Sequence, residues 1–291
     1  MRSIPAALIL ATACIFFQGC FSIDVTVKLN PDGSGTLVER MLLQKQFLEQ
    51  MKQLAEGLAA GGGKTGKAQA VLQGDMFSEQ QAAKRAASYG PGVELVSARK
   101  ISDAAAEGME AVYSFKDVSQ LRLDQKPGSM IPGAPSLGQP AAPSGMPQAL
   151  RFEKLPGGHS LLTLRIPWEK SQSLEERKKV PAARSAGEEP PVSQEQLAQA
   201  MQMFRGMRVS LAVEPKGTLV STNSPYVTGN RVTLFEMNMD EVLASAADPA
   251  SLTRMVSAPP ADAAEARKVL EQFKGIKFCL EPEIRIEFSP K

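Results

Sequence analysis

Histidine is all but missing from this chain: His159 is the only one among 291 residues. That count excludes a His-rich zinc site, and any Ser-His triad would have to be built on this one imidazole. His159 stands beside Ser160 just after a Pro-Gly-Gly turn. Adjacent residues on a strand point to opposite faces, so the two are not expected to meet as nucleophile and base. Cysteine is scarce as well, at three: Cys14, Cys20 and Cys279. If Cys14 leaves with a leader and Cys20 is modified, Cys279 has no partner and a disulfide framework is excluded. In Phe278-Cys279-Leu280 it reads as a buried strand residue. Aromatics make up only 5% of the chain, whereas there are 23 glycines and 21 prolines. That balance predicts ordered units separated by loose segments. Neither sign of charge dominates, with 33 basic and 31 acidic residues. The chain therefore gives no electrostatic case for nucleic acid.

Long apolar runs are absent too, except at the start. Arg2 precedes Ile4 to Phe17, and small or polar residues then lead to Gln18, Gly19 and Cys20. The run is well short of the roughly 20 residues a transmembrane helix needs, so the plan is that of a cleaved secretory signal over residues 1–19. Removing it takes away Arg2 alone and leaves 32 basic residues against 31 acidic. The residues around Cys20 resemble the lipobox of bacterial lipoproteins, with Gly19 in the small position before the cysteine. Phe17 stands where Leu is usual and Gln18 where a small or aliphatic residue is usual. Cys14, after Ala11, Thr12 and Ala13, is the rival, but cutting there would leave a very short apolar core and expose Ile15, Phe16 and Phe17. The resemblance implies cleavage between Gly19 and Cys20, acylation of Cys20 with long chains such as palmitate, and a membrane anchor in the cell envelope. In the sorting pattern of enteric bacteria, Asp after the lipidated cysteine retains a lipoprotein in the inner membrane. Here Phe21 follows, which favours the outer membrane.

Beyond the anchor, Ile23, Val25, Val27 and Leu29 alternate with polar residues, and Asn30 to Gly35 reverses the chain into a second strand over Thr36 to Leu43. Phe47, Met51, Leu54 and Leu58 recur at helical spacing, predicting an amphipathic helix over about Gln46 to Leu58. Ser78 with Gln81 forms a capping-box signal for a second helix ending at Gly90. Hairpins are expected from Val93 to Phe115 and from Leu150 to Ile166, where Trp168 packs at the end. Ser193 with Gln196 opens another helix. Strands follow around Val209 to Val213 and Arg231 to Met237, then a helix over about Asp262 to Lys274 and closing strands at Ile276 to Leu280 and Ile284 to Phe288. The expected class is α+β, antiparallel hairpins with packed amphipathic helices. An N-terminal unit is expected over 20–126, a Pro/Gly-rich linker or long loop over 127–148, and a C-terminal unit over 149–291 that can share one sheet with the first. Glu169 to Pro191 reads as a second exposed excursion.

Tested for chemistry, most motifs fail on spacing. Gly61 to Lys67 has the look of a phosphate loop, but Ala68 replaces the hydroxyl residue that should meet magnesium, and Leu58 stands where Lys64-Thr65 would need a glycine. Asn30, Asp32 and Ser34 resemble half of a calcium loop whose closing acid is replaced by Met41, with Glu39 nearby but out of place. Acid pairs such as Glu188 with Glu189 or Glu281 with Glu283 cannot be told from solvated carboxylates. No catalytic residue, metal ligand or cofactor site is therefore assigned. The two ends of the mature chain, Cys20 to Val38 with Asn30-Pro-Asp-Gly-Ser-Gly and Arg208 to Leu243 with Pro-Lys-Gly-Thr-Leu-Val, resemble small β-rich cell-envelope lipoproteins. No binding residue is carried over from them. The leading expectation is a non-enzymatic envelope module that meets the membrane through its lipid and an envelope protein or other envelope component through its domain. A lipid-binding module is the alternative, and an acid-dependent glycan hydrolase, needing facing carboxylates about 5–10 Å apart, is the third reading.

Overall fold

Alternation of apolar and polar residues decides most of the architecture. The computed structural model describes residues 21–49, 53, 77–123, 149–165, 205–245, 267, 268 and 270–291. Strand β1 (Phe21–Leu29) buries Phe21, Ile23, Val25, Val27 and Leu29 on one face, because successive side chains of a strand point to opposite sides. It pairs antiparallel with β2 (Gly35–Gln44), from Phe21 against Leu43 to Leu29 against Gly35. The turn between them depends on Gly33, whose φ of 91° suits glycine and whose backbone lies so close to Phe152 that a Cβ would stand 2.8 Å from the ring.

Helix α1 (Glu79–Ser88) begins as its capping signal requires: the Ser78 hydroxyl accepts the Gln81 amide at 3.4 Å. Its buried residues are Ala82 and Ala86, small side chains that let the helix lie close. A hairpin follows, β3 (Glu94–Ser102) and β4 (Ala106–Phe115), and β4 places Met109, Ala111, Tyr113 and Phe115 in the core. The register between the hairpin strands shifts between Leu95 and Ser97, leaving Val96 60% exposed. A 3-10 turn at Val118–Gln120 precedes β5 (Ala149–Lys154) and β6 (Ser160–Arg165). The remaining elements are β7 (Arg208–Pro215), β8 (Thr218–Thr222), β9 (Val227–Thr228), β10 (Arg231–Asn238), α2 (Met239–Ser245), β11 (Ile276–Phe278) and β12 (Glu283–Ser289).

These strands make two sheets among the described residues. The larger runs β11-β10-β7-β1-β2-β4-β3, with β9 on β10, and the smaller runs β5-β6-β12-β8. Strand β1 lies parallel to β7, from Ser22 against Arg208 to Leu29 against Pro215, so one sheet joins the segments before and after residues 127–148. The chain passes between sheets at the β7–β8 turn, where the Lys216 amide donates to Leu29 O at 2.7 Å. Asn230 holds that corner through bonds from its Nδ2 to the carbonyls of Pro215 and Gly217, both 2.7 Å.

The expected α+β class is corrected to a mostly β fold, with twelve strands in two sheets and only short helices among the described residues. The hairpins form where their alternation predicts, but their apolar faces are covered largely by one another. Leu150, Leu162, Leu164, Ile284, Ile286 and Phe288 of the smaller sheet join Ile23, Val25, Leu37, Tyr113 and Val213 of the larger in one core. Strand-on-strand burial thus does what the helices were expected to do. Residues 1–19 and Cys20, the Gly61 to Lys67 loop, the 127–147 segment, Trp168, Glu169 to Pro191 with Glu188 and Glu189, and the helix from Ser193 lie outside the described residues. So do residues 50–52 and 54–58 of the expected helix over Gln46 to Leu58 and residues 262–266 and 269 of that over Asp262 to Lys274, while residues 46–49, 53, 267, 268, 270 and 271 are described as helical.

Close strand approach makes Gly108 intolerant of substitution. A Cβ there would stand 2.0 Å from the Met41 carbonyl oxygen, a backbone atom with no rotamer to escape into. Gly108→Val is expected to cost about 3 kcal/mol of stability by forcing β2 and β4 apart. Urea unfolding checks this, and an unchanged midpoint would show that the two strands do not sit in this register.

Candidate functional site

Each motif singled out from sequence can be placed by its partners. In the Asn30–Gly35 turn, Asp32 Oδ1 accepts from the Ser34 amide at 3.0 Å and the Ser34 hydroxyl at 2.7 Å, while Asn30 Nδ2 donates to Ser34 Oγ at 2.8 Å. The Ser34 hydroxyl bond, then its amide bond, hold the Asp32 carboxyl below the ordinary range. These oxygens serve the turn. His159 and Ser160 diverge as expected: the imidazole Nδ1 lies 2.8 Å from Glu287 Oε1, and the Ser160 hydroxyl donates to Pro31 O at 2.8 Å. Cys279 is 1% exposed, one residue beyond β11 rather than within a strand, and burial raises its thiol pKa, favouring the unreactive protonated form. Beside it, Tyr226, Leu270, Ile276, Phe278 and Leu280 line a pocket of about 270 Å³. That is smaller than the roughly 300–1,000 Å³ of most ligand sites.

Glu281 and Glu283 are engaged by different arginines, Arg267 at 3.6 Å and Arg165 at 3.4 Å. Another pair of acids lies on the outer face of the larger sheet. Asp24 of β1 sits opposite Ser210 of β7 and accepts its hydroxyl, while Arg231 Nη2 donates to Asp24 at 2.8 Å. Arg231 Nη1 reaches Thr26 Oγ1 at 2.8 Å and Glu214 at 3.3 Å. Asp24 and Glu214 therefore share one guanidinium, so each carboxylate is already engaged by a positive charge. Nothing in the local sequence marks this group, because its members lie as many as 207 positions apart.

A second polar cluster is buried. Glu39 interrupts the core face of β2 and is 2% exposed. Its Oε2 accepts from Tyr113 Oη at 2.9 Å and from Arg85 Nε of α1 at 3.2 Å, and the rings of Tyr89 and Tyr113 stand 5.2 Å apart. Burial pushes both tyrosine hydroxyls above their ordinary pKa, and the charge of Glu39 adds to it. Burial lowers the Arg85 guanidinium, but Glu39 and the tyrosines together more than offset that and leave it raised. Arg85 Nη2 is buried with no hydrogen-bond partner among the described residues. The cluster clamps α1 to the sheet. It also gives a pH signature. The unfolded chain ionises its tyrosines near pH ~10 while the folded one keeps these two protonated. Stability is thus intact below that pH and falls as pH rises past it. Tyr113→Phe should shallow this alkaline loss in a pH series of thermal unfolding, and an unchanged alkaline limb would contradict the raised pKa.

A further polar surface is the outer face of the smaller sheet. Alternation places three rows there: Ala149, Arg165 and Glu283; Arg151, Thr163 and Arg285; Glu153, Leu161 and Glu287. They line or border a shallow cleft of about 380 Å³. Arg151 pairs with Glu153, and Arg165 with Glu283. His159, then the Ser221 hydroxyl at 3.0 Å, hold the Glu287 carboxyl below its ordinary value. Exposed ion pairs are each worth no more than about 1 kcal/mol, so these arginines can exchange their own acids for a partner's at small cost. Planar guanidiniums flanking a threonine suit carboxylate or phosphate groups. The arrangement can bind; it places no nucleophile beside a base.

No helix among the described residues is long and apolar enough to cross a membrane. No protein-family model matches the chain, and no curated protein matches it. Among solved structures, the folded domain of the Mycobacterium tuberculosis LppM protein, determined by NMR, is similar over 77% of this chain and 86% of that one, at 10% identity and a TM-score of 0.28. A likeness of that score carries no argument about architecture or role.

Proposed function

We propose that the chain is a lipid-anchored protein of the bacterial cell envelope, and that its β domain acts as a binding module without chemistry of its own. The observation that carries the reading is the junction at Cys20. The lipobox-like Gly19-Cys20 is followed at once by Phe21, the first residue of β1, and the Phe21 ring is already packed 6.2 Å from Phe47. Cleavage before Cys20 would therefore leave the first strand whole and place the acylated residue directly against it. Phe21 in the position after the cysteine favours the outer membrane in the enteric sorting pattern. For the domain, the Arg-Thr-Arg row of the smaller sheet supports recognition of a polar, acid-bearing envelope component.

Intact mass of the protein purified from a bacterial membrane tests the anchor. The expected species begins at Cys20 and carries acyl mass. A chain cut elsewhere, or one without acyl mass, would overturn the reading. The lipid-binding alternative gains no support from the small pocket beside Cys279, and the Arg231 bridge gives none to a glycan hydrolase.

A further inference from the structure

If Cys20 carries the lipid, the covalent geometry of the next residue limits where the fold can sit. One residue of extended chain spans at most about 3.6 Å. Phe21 is not a slack tether: it is a paired strand residue, opposite Leu43, with its ring in the core. No linker separates the anchor from the sheet. We infer that the end of the larger sheet where β1 begins rests on the bilayer surface, with β1 directed away from it. This rests on the anchor reading and deepens it by assigning the lipid-facing surface.

The elements that gather at this end follow from the registers. Ser22 is opposite Arg208, so β7 starts here; Arg208 is opposite Asn238, so β10 ends here. Strand β2 ends here too, and β4 starts here, since Gln44 is opposite Ala106. Backbone bonds close the margin: Lys45 N to Ala105 O at 2.9 Å, Met239 N to Met207 O at 2.9 Å, and Asn238 N to Gly275 O at 2.7 Å. Arg205 and Arg208 are exposed on it and would meet lipid phosphates. Acids stand there as well: Asp103 accepts the amides of Ala105 and Ala106, and Asp240 accepts the amide of Gly206. The inference thus stands on the length of the tether rather than on charge. The opposite end carries the Asn30–Gly35 turn, Lys216 and the start of β6, fastened by Ser160 to Pro31 O. Nine strand residues separate the two ends, about 30 Å.

Depth-dependent fluorescence quenching tests this on the full lipidated protein in vesicles of phosphatidylethanolamine and phosphatidylglycerol carrying a headgroup nitroxide. A fluorophore is placed by Arg205→Cys or Arg208→Cys at the near end and by Pro156→Cys or Lys216→Cys at the far end; Cys279 is buried and stays unlabelled. Severalfold stronger quenching at the near positions is expected. Equal quenching at both ends, or stronger quenching at the far end, in protein of confirmed acyl mass overturns the orientation and leaves the anchor standing. Absence of acyl mass overturns both. A flexible Gly/Ser insert between Cys20 and Phe21 should erase the contrast while membrane partition stays unchanged. If the contrast survives the insert, the tether is not its cause and the inference fails.

Discussion

Glu39→Met should lower unfolding free energy by about 3 kcal/mol, the lower end of what breaking a buried ion pair costs. The lower end applies because Arg85 keeps 19% of its side chain exposed while Glu39 keeps only 3%. Removing the carboxylate leaves the Arg85 guanidinium without its counter-charge beneath α1, and leaves the Tyr113 hydroxyl without its acceptor. Each loss falls on a group already withdrawn from water, which is why the loss is expensive. Arg85→Met should cost a similar amount by stranding the carboxylate instead. The double variant Glu39→Met/Arg85→Met should be better than the sum of the two by about 2 kcal/mol, since neither partner is then left as an unpaired buried charge, while the Tyr113 hydroxyl still lacks its acceptor. Urea unfolding of the four proteins closes the cycle. Additive singles would show that Glu39 and Arg85 do not act as a pair.

The same residue shows where sequence reading stopped. Most of the described strands, though not β8 and β9, were legible because alternation is a local signal: Ile23 to Leu29, Met109 to Phe115 and Val209 to Val213 announce their buried faces within a few residues. The Ser78 cap was legible for the same reason. What covers those faces is not local. Helices over hairpins and sheet over sheet call for the same alternation, so the expected α+β class gave way to two sheets sharing one core. Glu39 did leave a trace, as the one charge in the series Leu37, Glu39, Met41, Leu43. Its spacing from Asn30 and Asp32 fits no calcium loop, and its partners Arg85 and Tyr113 lie too far along the chain for local spacing to reveal them. Arg231 left none: its register against Asp24 exists only once β7 lies between β1 and β10. The proposed anchor is the reverse case, argued wholly from sequence and lying outside the described residues except for the strand that starts beside it.

Loss of both the lipid proposed on Cys20 and the leader should abolish stable membrane partition, and the size of the effect follows from chain chemistry. Each methylene buried in the bilayer contributes about 0.8 kcal/mol; a single myristoyl chain holds a protein only marginally, and a second makes the attachment durable. No helix among the described residues is long and apolar enough to span. One complication has a physical remedy. A variant that cannot be acylated keeps residues 1–19, and the apolar run from Ile4 to Phe17 can hold the chain to the membrane on its own. A third chain is therefore needed, exported behind a separately cleaved leader and beginning at Phe21, so that both lipid and apolar run are gone. In detergent phase separation the wild type should enter the detergent phase, Cys20→Ser should shift toward the aqueous phase in proportion to leader loss, and the Phe21 chain should be aqueous. Because Phe21 is the first paired residue of β1, that last protein should also unfold at the wild-type midpoint. A detergent-phase Phe21 chain would place the membrane affinity in the domain itself and remove the lipid from the explanation.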